Sequence, residues 1–315
     1  MKTIKLSIIA IFAMVAFSCN DDDKPSYVPP QDNTIVGTAS RNPDFSILVS
    51  ALVRADLAAT LQGGGPYTVF APTNAAFTEL LDGASLDDVP TAVLKEILLN
   101  HVIAGAVQSS ALTTGYIKTL ARGSASSTNT LSMFVNTASG VELNGMSMVT
   151  TADIVASNGV IHVVDAVITL PTVVDHALAN PDFSTLVSAL TFNPSSNFVG
   201  ILSGETNSPF TVFAPTNAAF GSFLTEYGFT GLSNIPVAVL ENTLKYHVVA
   251  GANVQAAALT EGQVITTFLG QNFTIGLIGN PKITDANARI SNIVAIDVQC
   301  SNGIVHAIDK VLLPN

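Results

Sequence analysis

The chain has 315 residues, a formal net charge of −11, and charged side chains at only 11% of its positions. A chain this acidic is not expected to bind nucleic acid or an anionic membrane surface through its charge. It has two cysteines, too few for a disulfide framework, so its 48% of hydrophobic residues must hold the fold by packing.

The first 18 residues have the pattern of a signal peptide. Lys2 and Lys5 precede an apolar stretch from Leu6 to Phe17, which is shorter than the roughly 20 residues of a membrane span. A small residue then precedes Cys19, and this ending resembles a bacterial lipobox. The resemblance implies lipidation of Cys19 and a membrane attachment through acyl chains. The alternative is a plain signal peptide that happens to end in a cysteine.

Residues 19–33 are expected to form a tether without a core of their own. An acidic run, Asp21 to Asp23, is followed by Pro25, Pro29 and Pro30, which stiffen the chain. Next to a lipidated cysteine, such a run resembles the surface-export signal of lipoproteins in Bacteroidetes-type bacteria. It is also compatible with a simple solvated spacer.

The rest of the chain contains four sequence blocks that occur twice in the same order. The spacing between copies drifts by only a few residues, which indicates a duplicated domain. The paired blocks are Asn42–Leu52 with Asn180–Leu190, Tyr67–Phe77 with Phe210–Phe220, Asn100–Gly105 with Tyr246–Gly251, and Ser157–Asp165 with Ser301–Asp309.

Helical spacing dominates the first part of each unit. In the first unit it predicts a helix over Phe45–Leu61 with Asp44 as a possible N-cap. A second helix follows the strand Tyr67–Ala71, runs through Leu81, and has Thr73 or Asn74 as its cap. A third helix is predicted from Pro90 to His101.

Strand patterns dominate the second part of each unit. The turns Asn144-Gly145 and Asn158-Gly159 separate segments rich in Thr, Val and Ile. One long apolar strand is predicted from Val160 to Leu170. Helices early and strands late make an α+β domain.

The repeated blocks resemble the motifs of the fasciclin domain. They read TVFAPTNAAF, HVIAG or YHVVAG, and SNGVIHVVD or SNGIVHAID, over residues 34–171 and again over 172–315. The resemblance implies two tandem fasciclin-like domains, each with several helices packed on a wedge of two β-sheets. It also implies a role in adhesion through extracellular protein or glycan partners.

Two adjacent pairs of residues are candidates for partner binding. His101 and His247 continue the apolar face of a helix at its C-terminal end, next to Asn100 and Tyr246 respectively. In fasciclin domains a Tyr-His element is linked to adhesion contacts, and only the second copy matches it fully. The alternative for all four residues is a structural role.

The remaining polar residues in the motifs are expected to be structural. His162 and His306 lie in apolar strands, with Asp165 and Asp309 on the opposite faces. Two further residues are also expected to be structural. His176, next to Asp175, is expected to belong to the start of a helix, and Cys300 is expected to be a small buried hydrophobic residue.

No catalytic, phosphate-binding or metal-binding motif is found, so the sequence predicts no enzyme, cofactor or metal. The expected function is an adhesion or scaffold module, lipid-anchored at the outer membrane and exposed on the cell surface. An alternative is an accessory lipoprotein that presents a ligand to an outer-membrane uptake system. The oligomeric state is left open.

Overall fold

The computed structural model describes residues 31–315. The expected signal peptide, the lipidation at Cys19 and all but the end of the tether lie outside the described residues. Both repeats belong to the unit Asp32–Asn315.

The first repeat places five helices before or between the first two strands of its sheet. These helices are α1 (Ile35–Ser40), α2 (Ser46–Arg54), α3 (Ala58–Gln62), α4 (Asn74–Leu81) and α5 (Thr91–Asn100). The strands are β1 (Tyr67–Pro72), β2 (Val102–Ala104), β3 (Gly115–Arg122), β4 (Thr130–Asn136), β5 (Glu142–Leu143), β6 (Ser147–Ala156) and β7 (Gly159–Val164).

The second repeat reproduces this order. Its helices are α6 (Val173–Ala179), α7 (Ser184–Leu190), α8 (Phe198–Ser203), α9 (Asn217–Glu226) and α10 (Val237–Tyr246). Its strands are β8 (Phe210–Pro215), β9 (Val248–Ala250), β10 (Val264–Thr266), β11 (Asn272–Gly276), β12 (Lys282–Thr284), β13 (Ile290–Cys300) and β14 (Gly303–Ile308).

Each repeat forms a seven-stranded mixed sheet, ordered β2-β1-β7-β6-β5-β4-β3 in the first and β9-β8-β14-β13-β12-β11-β10 in the second. The pairs β1–β7 and β8–β14 are parallel, and the other neighbours are antiparallel. Register shifts interrupt the pairing of β6 with β7 and of β13 with β14, and such bulges bend a strand. The expected α+β fold with two tandem domains is confirmed.

The first predicted helix is wrong in its extent. A 3₁₀ turn over Pro43–Phe45 comes first, and Asn42 caps it by accepting from the amide of Asp44. The following helix ends at Arg54, because Asp56 adopts a left-handed conformation with φ of 55°. Helical periodicity continues through this break, which is why the sequence suggests a single helix.

The predicted strand Val160–Leu170 is also too long, since β7 ends at Val164. Just beyond it, Asp165 N still donates to Met148 O of β6, and after that the backbone bonds to side chains. The carboxylate of Asp165 accepts from the amide of Met148, and the hydroxyl of Ser147 donates to the carbonyl of Ala166. The apolar residues after this point are buried without strand pairing.

The Pro-Thr-Asn motif caps one helix and fastens another. Thr73 accepts from the amide of Ala76, as predicted for a helix cap. Asn74 instead reaches across to the start of α2, where it accepts from Ile47 N and donates to the carbonyl of Pro43. Asn217 makes the same bonds in the second repeat.

The Asn-Gly turn has an equally structural role. The amide oxygen of Asn302 accepts from Val173 N at 3.0 Å, and its Nδ2 donates to Leu202 O at 2.7 Å. Asn158 makes the same two connections in the first repeat, to Ile35 N and Leu61 O. One side chain thus ties the last hairpin of each sheet to the helices that begin the repeat.

We expect Asn302→Ala to lower the free energy of unfolding by about 1–3 kcal/mol, because it leaves the buried Val173 N–H without an acceptor. Urea unfolding followed by circular dichroism measures this. The control is Asn129→Ala, whose side-chain amide makes no hydrogen bond within residues 31–315. Equal stability of the two variants would contradict the proposed role of the Asn302 side chain in joining the hairpin to the helices.

Candidate functional site

The two histidines that follow α5 and α10 are buried connectors. His247 is 3% exposed; its Nδ1 donates to Thr243 O at 2.7 Å, and its Nε2 accepts from Leu312 N at 2.9 Å. His101 makes the same bonds to Ile97 O and Ile168 N. Each ring therefore joins a helix end to the segment after the last strand, and it must be neutral, with its proton on Nδ1.

The residues beside these histidines are buried as well. The Tyr246 hydroxyl donates to Asn272 O at 2.6 Å and accepts from Ala286 N at 3.0 Å. In the first repeat, Asn100 donates to Thr169 O at 2.9 Å. Both side chains are 0% exposed.

The partner-facing interpretation of Asn100, His101, Tyr246 and His247 is therefore corrected. A partner on the surface cannot touch these side chains, because the elements to which they bond also cover them. Helical spacing correctly placed the two histidines on the apolar face of their helices. It could not show that the chain after β7 or β14 would close over that face.

The strand histidines are satisfied core residues, as predicted. Nε2 of His162 bonds to the Val107 carbonyl at 2.9 Å, and Nδ1 accepts from Asp153 N at 3.2 Å. His306 does the same with Val254 and Asp297. Burial lowers the pKa of His306, so its ring is neutral at physiological pH.

The acid that lies beside each strand histidine was not identified from the sequence. Asp153 and Asp297 occupy the bulges of β6 and β13 with φ of 63° and 58°. The carboxylate of Asp153 accepts from the amide and hydroxyl of Ser109, which lowers its pKa. An Asp four residues before each Ser-Asn-Gly block is the available sequence signal.

The two repeats share a contact surface between the sheet of the first and the opening helix of the second. Phe134 on β4 is 3% exposed and packs against Tyr116 at a centroid distance of 5.0 Å. Tyr116 contacts the His176 ring edge-on at 5.5 Å, and its hydroxyl accepts from Asn180 Nδ2 at 3.2 Å.

Polar contacts from the same sheet reach backbone atoms of β13 and the turn after it. Lys118 Nζ donates to Asp297 O at 2.9 Å, and Ser132 Oγ accepts from Gln299 N at 3.0 Å. The loop after β3 adds a bond from Ala125 N to Ser301 O at 2.9 Å. This junction holds the two repeats together beyond the short linker.

His176 differs from its predicted role. Asp175 does form a capping box with Thr172 at the helix start, but His176 points into the junction and is 1% exposed. Neither ring nitrogen has a hydrogen-bond partner within residues 31–315. Burial, followed by the positive charge of Lys118, lowers the pKa of His176 to about 3. The prediction for Cys300 is confirmed: it is buried, and burial raises its pKa well above the ordinary value.

An open cleft of about 640 Å³ lies where the repeats meet. Its walls combine five hydroxyl side chains with apolar ones, and its charged groups are Glu96, Arg122 and Glu205. The guanidinium of Arg122 forms no ion pair or hydrogen bond with other residues of the described chain. The hydroxyl residues are Ser124, Ser126, Ser127, Thr172 and Ser301.

Residues 31–315 contain neither a metal-ligand cluster nor a membrane span. Within that range, no group of three or more His, Cys, Asp or Glu side chains could hold a metal ion. None of the helices found there is long and apolar enough to cross a membrane.

Comparison with known families identifies the class. The family model described as "Fasciclin domain" matches residues 43–171 and again residues 181–314. The chain therefore belongs to the fasciclin domain family and carries the domain twice.

Similar proteins occur in bacteria and in animals. Protein sll1483 of Synechocystis is 40% identical over 145 residues, which are 44% of this chain and 74% of that protein. Human periostin is 28% identical over 270 residues, which are 81% of this chain but 29% of periostin. A solved FAS1 domain pair of the insect cell adhesion molecule Fasciclin I aligns with a TM-score of 0.48 and 21% identity, over 84% of this chain and 92% of that one.

His247→Leu should destabilise the protein at pH 7 and weaken its response to acid. The variant leaves Leu312 N–H without an acceptor, which costs about 1–3 kcal/mol. Burial lowers the pKa of His247 to about 4. Between pH 6.5 and 4 the unfolded chain then binds the extra proton, so wild-type stability falls with pH by about 1.4 kcal/mol per unit for this residue.

Urea titrations at several pH values measure both effects of His247→Leu. Below pH 6.5, the free energy of unfolding of the variant should fall less steeply with decreasing pH than that of the wild type. An unchanged slope would contradict the neutral, hydrogen-bonded ring.

His176→Phe should behave differently, because His176 has no hydrogen bond to lose. The variant keeps an aromatic ring on Tyr116, so stability at pH 7 should be equal or higher. With its pKa lowered to about 3, His176 weakens the wild type as pH falls from 6.5 toward 3, and the variant should lack that contribution. A loss of more than about 1 kcal/mol at pH 7 would show that the ring has a missed partner.

Proposed function

We propose that this protein is a surface-anchored adhesion or scaffold module that binds an extracellular protein or glycan. Family membership supports the proposal, since fasciclin domains are found in cell adhesion proteins. The observation that carries it is the placement of the motif side chains. They are bonded inside each repeat, which leaves the surface for recognition.

The anchor belongs to the same proposal. Lipidation at Cys19 would attach the chain to the outer membrane, and residues 20–33 would hold the two domains away from it, exposed on the cell surface. Several acyl chains give stable attachment, because each buried methylene contributes about 0.8 kcal/mol. Mass spectrometry of the membrane-extracted protein would show a lipid-modified Cys19 as its first residue.

The cleft between the repeats is the proposed contact for the partner. Its hydroxyls donate and accept hydrogen bonds, Glu96 and Glu205 accept them, and Arg122 donates in a fixed planar fork. Such a lining suits a neutral or zwitterionic polar ligand, such as a peptide segment or a polyhydroxylated glycan. No aromatic side chain lines the cleft, so the alternative of a glycan-presenting uptake accessory gains no specific support.

The test is adhesion of cells that display the full chain to surfaces coated with collagen, fibronectin, laminin, hyaluronan or dextran. We expect saturable adhesion to at least one coating. Arg122→Glu should reduce it about tenfold or more, because it replaces a donor at the cleft with an acceptor of opposite charge.

The matched control is Lys310→Glu, which makes the same charge change at an exposed position away from the cleft. It should adhere like the wild type. Equal loss in both variants would indicate a general charge effect, and adhesion to none of the five coatings would count against the proposal.

A further inference from the structure

The surface that joins the two repeats has a second, uncovered copy. In the first repeat, Ile117 and Met133 pair and face the core, so their neighbours Tyr116, Lys118, Ser132 and Phe134 face the other side of the sheet. The second repeat packs on this face: Ser132 and Phe134 are buried, Tyr116 contacts His176, and Lys118 donates to Asp297 O.

The same position in the second repeat is found through the strand register. Ile265 and Phe273 pair and face the core there. The outward neighbours are Val264, Thr266, Asn272 and Thr274, which we call the open sheet face. Val264 is 61% exposed, and no described residue of this chain covers the face as the second repeat covers Phe134.

The surface of the second repeat that packs on this sheet face also has a counterpart in the first repeat. In the second repeat it includes Asp297 O, Gln299 N and Ser301 O, three backbone atoms of β13 and its turn. In the first repeat the counterparts are Asp153, Val155 and Ser157, which we call the free end.

The free end is accessible. Val155 is 72% exposed, whereas its counterpart Gln299 is 0% exposed. An open groove of about 580 Å³ lies beside Val155 and Ser157. Val155 pairs with Val160 as Gln299 pairs with Ile304, so its amide points away from β7 in the same manner.

The two uncovered surfaces match in their hydrogen-bonding chemistry. Where Lys118 donates to Asp297 O, the hydroxyl of Thr266 offers a donor for Asp153 O. Where Ser132 accepts from Gln299 N, the amide oxygen of Asn272 offers an acceptor for Val155 N. The acceptor and donor on the free end are backbone atoms. They are therefore present although the side chains of the free end differ from their counterparts in the second repeat.

Charge favours the same pairing. The chain carries −11 overall, so two copies repel across most of their surface. The open sheet face has no charged residue among its four members, and the one acid of the free end, Asp153, directs its carboxylate to Ser109. Contact between these two surfaces brings little like charge together.

We propose that copies of this chain associate head to tail, with the open sheet face of one copy on the free end of the next. The two surfaces differ, so the contact does not close on itself as a twofold dimer does, and it generates open chains. This self-association goes beyond the adhesion role and does not rest on it.

The test is sedimentation velocity on the mature chain, with Cys19→Ser to prevent lipidation, over a range of concentrations from micromolar to near millimolar. The wild type should form a series of oligomers that includes species larger than a dimer. Val264→Glu on the open sheet face and Val155→Glu on the free end should each weaken association about tenfold or more. Val239→Glu, at a 48% exposed valine on α10, is the matched control and should behave like the wild type.

Mixing the two variants gives the decisive result. Val264→Glu keeps an intact free end and Val155→Glu keeps an intact open sheet face, so an equimolar mixture should form dimers that do not extend. A wild type that remains monomeric throughout would overturn the proposal. So would association that Val264→Glu abolishes and Val155→Glu leaves unchanged, since that pattern indicates a symmetric face-to-face dimer.

Discussion

Side chains complete the backbone hydrogen bonding of this fold at the places where one element meets another. Asn302 binds an amide of one helix and a carbonyl of another, and His247 links a helix end to the closing segment. Unpaired backbone groups buried at these joins would each cost free energy comparable to a lost hydrogen bond. The motif residues supply the missing partners, and the first repeat uses its own copies in the same way.

Because of this constraint, the motif residues are not available to bind a partner. A ring whose two nitrogens are both bonded to buried backbone has no donor or acceptor left for a partner, and His101 and His247 are in that state. Burial lowers their pKa to about 4 and keeps them neutral, although a helix C-terminus favours a cation. Because Nε2 must accept a hydrogen bond from a backbone amide, protonation would break the bond that holds the closing segment. Recognition therefore falls to surfaces whose side chains are not engaged in the fold.

The sequence predicted the duplication, the α+β class, a cap at Thr73 or Asn74, and the core positions of His162 and His306, because these follow from local spacing and repetition. It failed where the answer depended on distant packing. The burial of Tyr246 comes from β11 and the turn after β12, and that of His176 comes from the sheet of the other repeat. The bulges at Asp153 and Asp297 arise from register shifts between strands, which leave no periodic signature.

Duplication gives each repeat the same two surfaces, but the junction uses only one of each. The covered sheet carries Tyr116 and Phe134, whose large rings fill the contact, whereas the open one carries Val264 and Thr274 at those positions. The aromatic pair contributes more buried area and a defined ring geometry. The junction within the chain is therefore built to be permanent, and a contact made by the smaller residues would be weaker and reversible. For a protein with two domains on one tether, reversible contacts between copies would add avidity without fixing the geometry of the array.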